Sequence, residues 1–310
     1  MEPLRNVFMK HLVLLAHNNK NIVVLDCDMA KHNRLCYFEN SFKNRFYQIG
    51  IAEQNAIGIA AGLAKSGKTP IVSSFASFIC GRAWEQIRHS VAYNRCNVKI
   101  VATHAGLSAG EEGGTHQCVE DFALMMALPN VDVFAPAFPT ECKTICQYVT
   151  TSNKPAYIRL GRDEVEVDTD DYSRIGDPII FGSKTANIAI ISTGEISQEI
   201  CKIPRYHPNV KVLHLGCLRP INNEKIISAL DGVTAIFVVE EHTKYGGLAS
   251  ILYMNGILGD KKVIPVNLNE HFGQTGTTHE LREYFGLSNN RVLAAMKENV
   301  EGDNNVHILD

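Results

Sequence analysis

Apolar residues recur along the chain in two patterns. Short, continuous, largely β-branched runs at 22–27, 70–74, 98–103, 131–135 and 156–160 alternate with amphipathic segments of helical length at 53–65, 79–93, 119–127 and 140–151. Uninterrupted apolar runs suit strands buried on both faces of a parallel sheet, because a strand with one wet face alternates apolar and polar positions. Strand-helix-strand succession of this kind predicts an α/β layered domain. A second series begins near 186, with strands expected at 188–192, 210–215, 235–239 and 263–268 and helices at 222–230, 248–258 and 279–284. The stretch between the series is acidic, then rich in Gly and Pro, with little helical periodicity. The expected organisation is two consecutive α/β/α layered domains: 1–165 on a parallel sheet, a linker over 166–185 with room for a strand, and 186–310 on a mostly parallel sheet. The polar tail 301–310 is expected to fray.

Composition narrows the classes of function. A length of 310 residues suits two domains, at about 150 residues each. Thirty basic residues against thirty-three acidic ones give a net charge of -3, without the basic excess that nucleic-acid binding requires. No apolar run reaches the ~18–20 residues of a membrane span. The start, Met1-Glu2-Pro3-Leu4-Arg5, lacks the basic-then-apolar layout of a secretory leader. Nine cysteines with no CxxC pair argue against a disulfide framework or a structural zinc site. Reduced thiols in a cytoplasmic protein are expected.

Residues 62–69 match the phosphate-loop pattern GxxxxGK[ST] letter for letter. That loop works only where it follows a strand and opens a helix, whose first amides cradle phosphates. Here a small-residue helix precedes the match, and Pro70 with an apolar strand follows it. The residue before a proline is disfavoured in the α region, so Thr69 is poorly placed to start a helix. The segment reads as a helix end and a turn.

Three other segments concentrate chemistry. Residues 48–62 place one carboxylate, Glu53, at the head of a helix rich in Ala and Gly. Small residues let another body pack closely, and a carboxylate in so dry a setting can share a proton near neutrality. Residues 73–86 carry Phe75 and Phe78 beyond a strand's C-terminal end, where ligands of open α/β sheets bind. Aromatics at that spacing serve a core equally well. In residues 102–117 a strand ends at His104, and a loop with four glycines and the adjacent carboxylates Glu111 and Glu112 runs on to His116. Glycines permit close ligand approach, and two histidines bracketing such a loop suit proton transfer.

Together these segments resemble the thiamine-diphosphate enzymes of the transketolase superfamily, over nearly the whole chain. IGIAEQNAIGIAAGLA is similar to the family's activating-glutamate segment, ATHAGLSAGEEGGTHQCVED to its substrate-histidine loop, and FVVEEHTKYGGLAS to its C-terminal domain. Residues 158–162 resemble the strand that ends the pyrimidine domain. The likeness is greatest to the C-terminal chain of split transketolases.

The resemblance implies a set of roles. Glu53 would hydrogen-bond the ring nitrogen of the cofactor's aminopyrimidine and favour the imino form that generates the nucleophilic ylid. Phe78, with Phe75, would stack on that ring; Arg82 and Asp28 would line the cofactor cavity. His104 and His116 would exchange protons with the hydroxyls of a ketose donor. Arg5 and Arg162 would hold the substrate phosphate, two planar cations clamping one anion. No metal ligand is expected in this chain. Family members hold diphosphate and Mg2+ through a GDG motif with a downstream asparagine, and the GD pairs at 176, 259 and 302 do not fit that pattern. The implied partner is an N-terminal transketolase subunit that supplies the diphosphate-binding domain, in an α2β2 assembly inactive without it.

Three positions depart from the family pattern. Glu112 stands where an aspartate reads hydroxyl stereochemistry, which moves the carboxylate by about 1.5 Å. His32 replaces a small serine near the phosphate, and Gly81 replaces an aromatic. These departures lead to the expectation of a specialised anionic sugar or sulfosugar. Residues 82–89 also resemble deoxyxylulose-phosphate synthase, and the β subunit of 2-oxo-acid dehydrogenases shares the layout. A non-catalytic regulatory relative is the alternative from a different class.

Overall fold

The computed structural model describes residues 2–169, 172 and 174–300, so the tail expected to fray lies outside the described residues. Twelve strands form two sheets among them. The first half contributes β1 (Ile22–Asp26), β2 (Phe46–Gln48), β3 (Thr69–Phe75), β4 (Lys99–Thr103), β5 (Asp132–Phe134) and β6 (Ala156–Arg159). The second contributes β7 (Ile179–Phe181), β8 (Ile188–Ser192), β9 (Val210–His214), β10 (Cys217–Arg219), β11 (Ala235–Val239) and β12 (Lys262–Val266). Strand order is β10-β5-β6-β4-β3-β1-β2 in one sheet and β12-β11-β8-β9-β7 in the other. All pairs are parallel except β10 with β5 and β7 with β9.

Alternation along the buried strands builds the layers. Ile22 and Val24 of β1 face the helices Leu4–Asn18 and Pro139–Thr151, against Phe8, Leu12, Ile145 and Val149. Val23 and Leu25 face the opposite layer, with Ala56, Ala60, Ile87 and Phe122. The second sheet is covered in the same way, Ile188 and Ile190 on one face and Ala189 and Ile191 on the other. Both faces of each sheet are therefore apolar, as the unbroken hydrophobic runs require.

Several elements differ from the sequence expectation. Helix Leu4–Asn18 was not expected, although Leu4, Phe8 and Leu12 recur at helical spacing and are fully buried. The helices Cys36–Ser41 and Asn289–Val300 and the short edge strand β2 were not expected either. The continuous helix expected at 79–93 is two wide π-helical stretches, Ser77–Arg82 and Ile87–Tyr93, around the single α turn Trp84–Gln86. The helix expected at 248–258 stops at Met254, and Gly256 beyond it takes φ +66°. β7 is the strand for which the linker had room.

The first sheet is also not purely parallel. β10 belongs in sequence to the second series, yet pairs antiparallel with β5, Cys217 opposite Phe134 and Arg219 opposite Val133. Arg219 secures it by donating to the carbonyls of Met126, Leu128 and Val131 at 2.6, 2.6 and 3.1 Å. At the phosphate-loop look-alike, the helix ends at Lys65, Gly67 turns at φ +83°, and β3 starts at Thr69; no helix opens there. All nine cysteines are free thiols, and no described helix is long and apolar enough to cross a membrane.

Candidate active site

Parallel strands deliver their C-terminal ends to one side of the sheet, and almost every chemically notable residue of the first half follows such an end. Asp28 and His32 follow β1, Glu53 follows β2, Phe75 ends β3, His104 follows β4 and Arg162 follows β6. Arg5 joins them from the start of the first helix.

Glu53 opens helix Glu53–Lys65 and is 1% exposed. Its Oε1 accepts from Ser74 Oγ at 3.1 Å and its Oε2 from Arg82 Nη1 at 2.6 Å. The carboxylate is thus not alone among small residues, as the sequence suggested; a half-exposed arginine partners it. The Arg82 guanidinium also lies 5.0 Å from the Phe78 ring centroid. Phe75 and Phe78 stack at 5.6 Å and 10°. The Phe75 ring lies on the His104 imidazole at 3.8 Å and 26°, and Phe78 meets His116 edge-on at 5.4 Å.

His104, at φ +56°, is 1% exposed. Its Nε2 accepts from Arg5 Nη1 at 2.9 Å, and its Nδ1 contacts Thr103 Oγ1 at 2.9 Å. Burial first, then the charges of Arg5, Arg162, His32 and Arg34, push its pKa down to about 2. Arg5 is itself shifted below the usual guanidinium value, by burial and then by Arg34. His116 is half-buried, with Nδ1 at 3.0 Å from Thr115 Oγ1 and its backbone carbonyl bonded by Ser77. Arg162 pairs with Glu112 at 3.2 Å and with Glu111 at 3.8 Å, rather than with its sequence neighbours. His32 is exposed, 6.2 Å edge-on from Phe75. Asp28 is exposed at φ +66° and donates its backbone N–H to Gln48 Oε1.

The cluster lies on an open face: Phe78 and His116 are half-buried, and His32 and Glu112 exposed. Nothing lies within 4 Å of where a Cβ on Gly81 would stand, so there is room beside Phe78. A buried carboxylate linked through Arg82 to the half-buried Phe78 ring, with Phe75 packed behind that ring and open space at Gly81, fits an aromatic heterocycle bearing a ring nitrogen. Among the described residues no group of three His, Cys, Asp or Glu side chains is placed to hold a metal ion. Sequence reasoning missed Ser74, Arg34, Thr103 and Asn33, whose Oδ1 accepts from Thr103 Oγ1 at 2.6 Å. Thr103 and Asn33 were accessible only as immediate neighbours of His104 and His32.

Residues 3–167 match the family described as transketolase, pyrimidine binding domain. The chain belongs to the transketolase family. It is 35% identical over 309 residues to a putative transketolase C-terminal section of Methanocaldococcus jannaschii, covering 96% of each chain. It is 32% identical over 256 residues to one of the subunits of the apulose-4-phosphate transketolase of Actinobacillus succinogenes, covering 81% of this chain and 82% of that one. A solved split-gene transketolase, an inactive beta4 tetramer, superposes with a TM-score of 0.87 at 35% identity, over 97% of this chain and 99% of the other. Within the family, two mostly parallel sheets of this kind form the pyrimidine-binding and C-terminal domains, and the relatives are transketolase-type transferases.

Proposed function

We propose that this chain is the C-terminal subunit of a two-chain transketolase, moving a two-carbon ketol unit from an anionic ketose to an aldose acceptor with thiamine diphosphate. The observation that carries the reading is the convergence of the Glu53 carboxylate, the Phe75–Phe78 stack and two imidazoles at the strand ends of one sheet. Thiamine diphosphate supplies, when bound, a carbon nucleophile that protein side chains lack.

In this reading Glu53, its rotamer fixed by Ser74 and Arg82, would bond the aminopyrimidine ring nitrogen. Phe78, with Phe75 packed behind it, would stack on that ring, and Asp28 would line the cofactor cavity. His104 is neutral at working pH, and the Arg5 guanidinium, which can only donate, faces its Nε2 as an acceptor. A sugar phosphate draws Arg5 to its anion, beside Arg162 and His32, and presents a hydroxyl to Nε2. His116 handles a proton from the other side of the rings, and Glu112 reads hydroxyl stereochemistry while holding Arg162. The functional division is 1–165 for pyrimidine and substrate, 166–185 as linker and 186–310 as C-terminal domain.

A partner chain holds the diphosphate and Mg2+, in a cytoplasmic α2β2 assembly. Support comes from the exposed face of helix Glu53–Lys65. Gln54, Asn55, Gly58, Ile59 and Gly62 are exposed there, next to Ile51 at 70% exposure, and a Cβ on either glycine would meet nothing. The apulose-4-phosphate relative, itself one subunit of a transketolase, and the inactive beta4 tetramer support it too.

The test is reconstitution with the diphosphate-binding chain, followed by ketol-transfer assays over a panel of phosphorylated and sulfonated ketoses. The complex is expected to be active and this chain alone inactive. Glu53→Gln should lower kcat by at least about 100-fold, within the range of acid–base catalysis. An inactive complex on every donor, or a Glu53→Gln complex with wild-type turnover, overturns the reading. Full activity on xylulose 5-phosphate with ribose 5-phosphate overturns the specialised substrate alone.

A further inference from the structure

A chain of hydrogen bonds runs behind His104, and its direction is set at both ends. At one end Ser73 Oγ reaches the Val101 carbonyl at 2.8 Å, and a carbonyl can only accept. Ser73 therefore donates its proton there and accepts from Asn33 Nδ2 at 3.0 Å. That contact orients the Asn33 amide, placing Oδ1 against Thr103 Oγ1 at 2.6 Å. The Thr103 hydroxyl spends its single proton on Oδ1 and meets His104 Nδ1, at 2.9 Å, as an acceptor. Nδ1 must carry the hydrogen. At the other end Arg5 Nη1, which can only donate, faces Nε2 at 2.9 Å and requires a lone pair there. Carbonyl and guanidinium independently demand the same polarity. Ser73, Asn33 and Thr103 are fully buried, so water cannot take the place of a missing partner.

We propose that Asn33 is a positioning residue that acts through Thr103 to hold His104 as its Nδ1-protonated tautomer, keeping Nε2 as the acceptor turned toward Arg5 and the sugar. The tautomer of a histidine follows the bond made by its other nitrogen. With Asn33 truncated, Thr103 is free to donate to Nδ1, and that donor then competes with Arg5 over which nitrogen carries the imidazole hydrogen. The consequence for ketol transfer rests on the function proposed above; the tautomer itself does not.

Two measurements test it. In the whole chain labelled with 15N-histidine, solid-state NMR identifies His104 by the signals lost in His104→Gln. The wild type is expected to show Nδ1 protonated and Nε2 unprotonated. Asn33→Ala should move a substantial fraction to the opposite tautomer, whereas Asn33→Asp, which still accepts from Thr103, should not. A wild-type signal protonated at Nε2, or an Asn33→Ala spectrum identical to wild type, overturns the proposal. In the reconstituted complex Asn33→Ala should lower kcat/KM at least about tenfold, with Asn33→Asp recovering most of it. Wild-type kcat/KM in Asn33→Ala overturns the catalytic role. A wild-type complex inactive on all donors, with the expected tautomers present, sinks the proposed function and leaves the tautomer assignment standing.

Discussion

At His104, burial and a ring of cations act in the same direction. The folded imidazole stays neutral down to about pH 2, while in the unfolded chain it titrates near its ordinary 6.5. Between those values the unfolded state binds the extra proton, so this residue's contribution to stability rises with pH and is lost as pH falls below 6.5. His104→Gln is therefore expected to flatten the fall in urea midpoint between pH 7 and pH 5 relative to wild type. An equal or steeper fall would contradict the assignment. Glu53 was legible in the sequence as a carboxylate at a helix start. Its pairing with Arg82, twenty-nine residues on, was not, because a wide π turn sets where that arginine points.

The loop from His104 to His116 works as an element because the second half of the chain is pressed against it. Gly106, at φ +60°, leaves so little room that a Cβ would stand 2.4 Å from Glu241 Oε2 and 2.5 Å from Arg159 Nη2. Gly114 lies against the Gly273 carbonyl, and Gln117 Nε2 donates to the Gln274 carbonyl at 2.8 Å. Gly106→Ala combines a strained backbone with a clash against two buried charged side chains. It should cost about 2–4 kcal/mol in urea unfolding. Gly81→Ala, with open space at its Cβ, should stay within about 0.5 kcal/mol. Similar costs at the two sites would refute the packing account. The four glycines signalled a loop that something approaches closely; only the fold shows that part of that something is the chain's own second half.

Across the whole molecule, Glu241 joins the halves. Its Oε1 accepts from Arg282 Nε at 2.7 Å, its Oε2 from the Leu107 N–H at 3.3 Å, and its carbonyl from Arg159 Nη2 at 2.8 Å. Removing one partner of a buried charge network leaves the others uncompensated. Glu241→Ala is expected to cost about 3 kcal/mol, a loss that urea denaturation would show. The open face of helix Glu53–Lys65 makes a different prediction. Gly58→Arg should leave the melting temperature of the isolated chain unchanged and abolish co-elution with the proposed diphosphate-binding chain on size exclusion. Normal complex formation would place the interface elsewhere.

The sequence by itself determined the layered α/β architecture, most of the strands and the identity of the groups that gather at their ends. Those follow from local periodicity, because a strand buried on both faces must be apolar throughout, and a parallel sheet must send its C-terminal ends to one side. Tertiary structure alone decided the antiparallel edge strand β10, the arginine on Glu53 and the chain of bonds behind His104. Each joins positions far apart in sequence, as Arg5 meets His104 ninety-nine residues away. No local pattern encodes such a pairing. It exists only once packing has brought a donor and an acceptor within reach and shut out the water that would otherwise satisfy them.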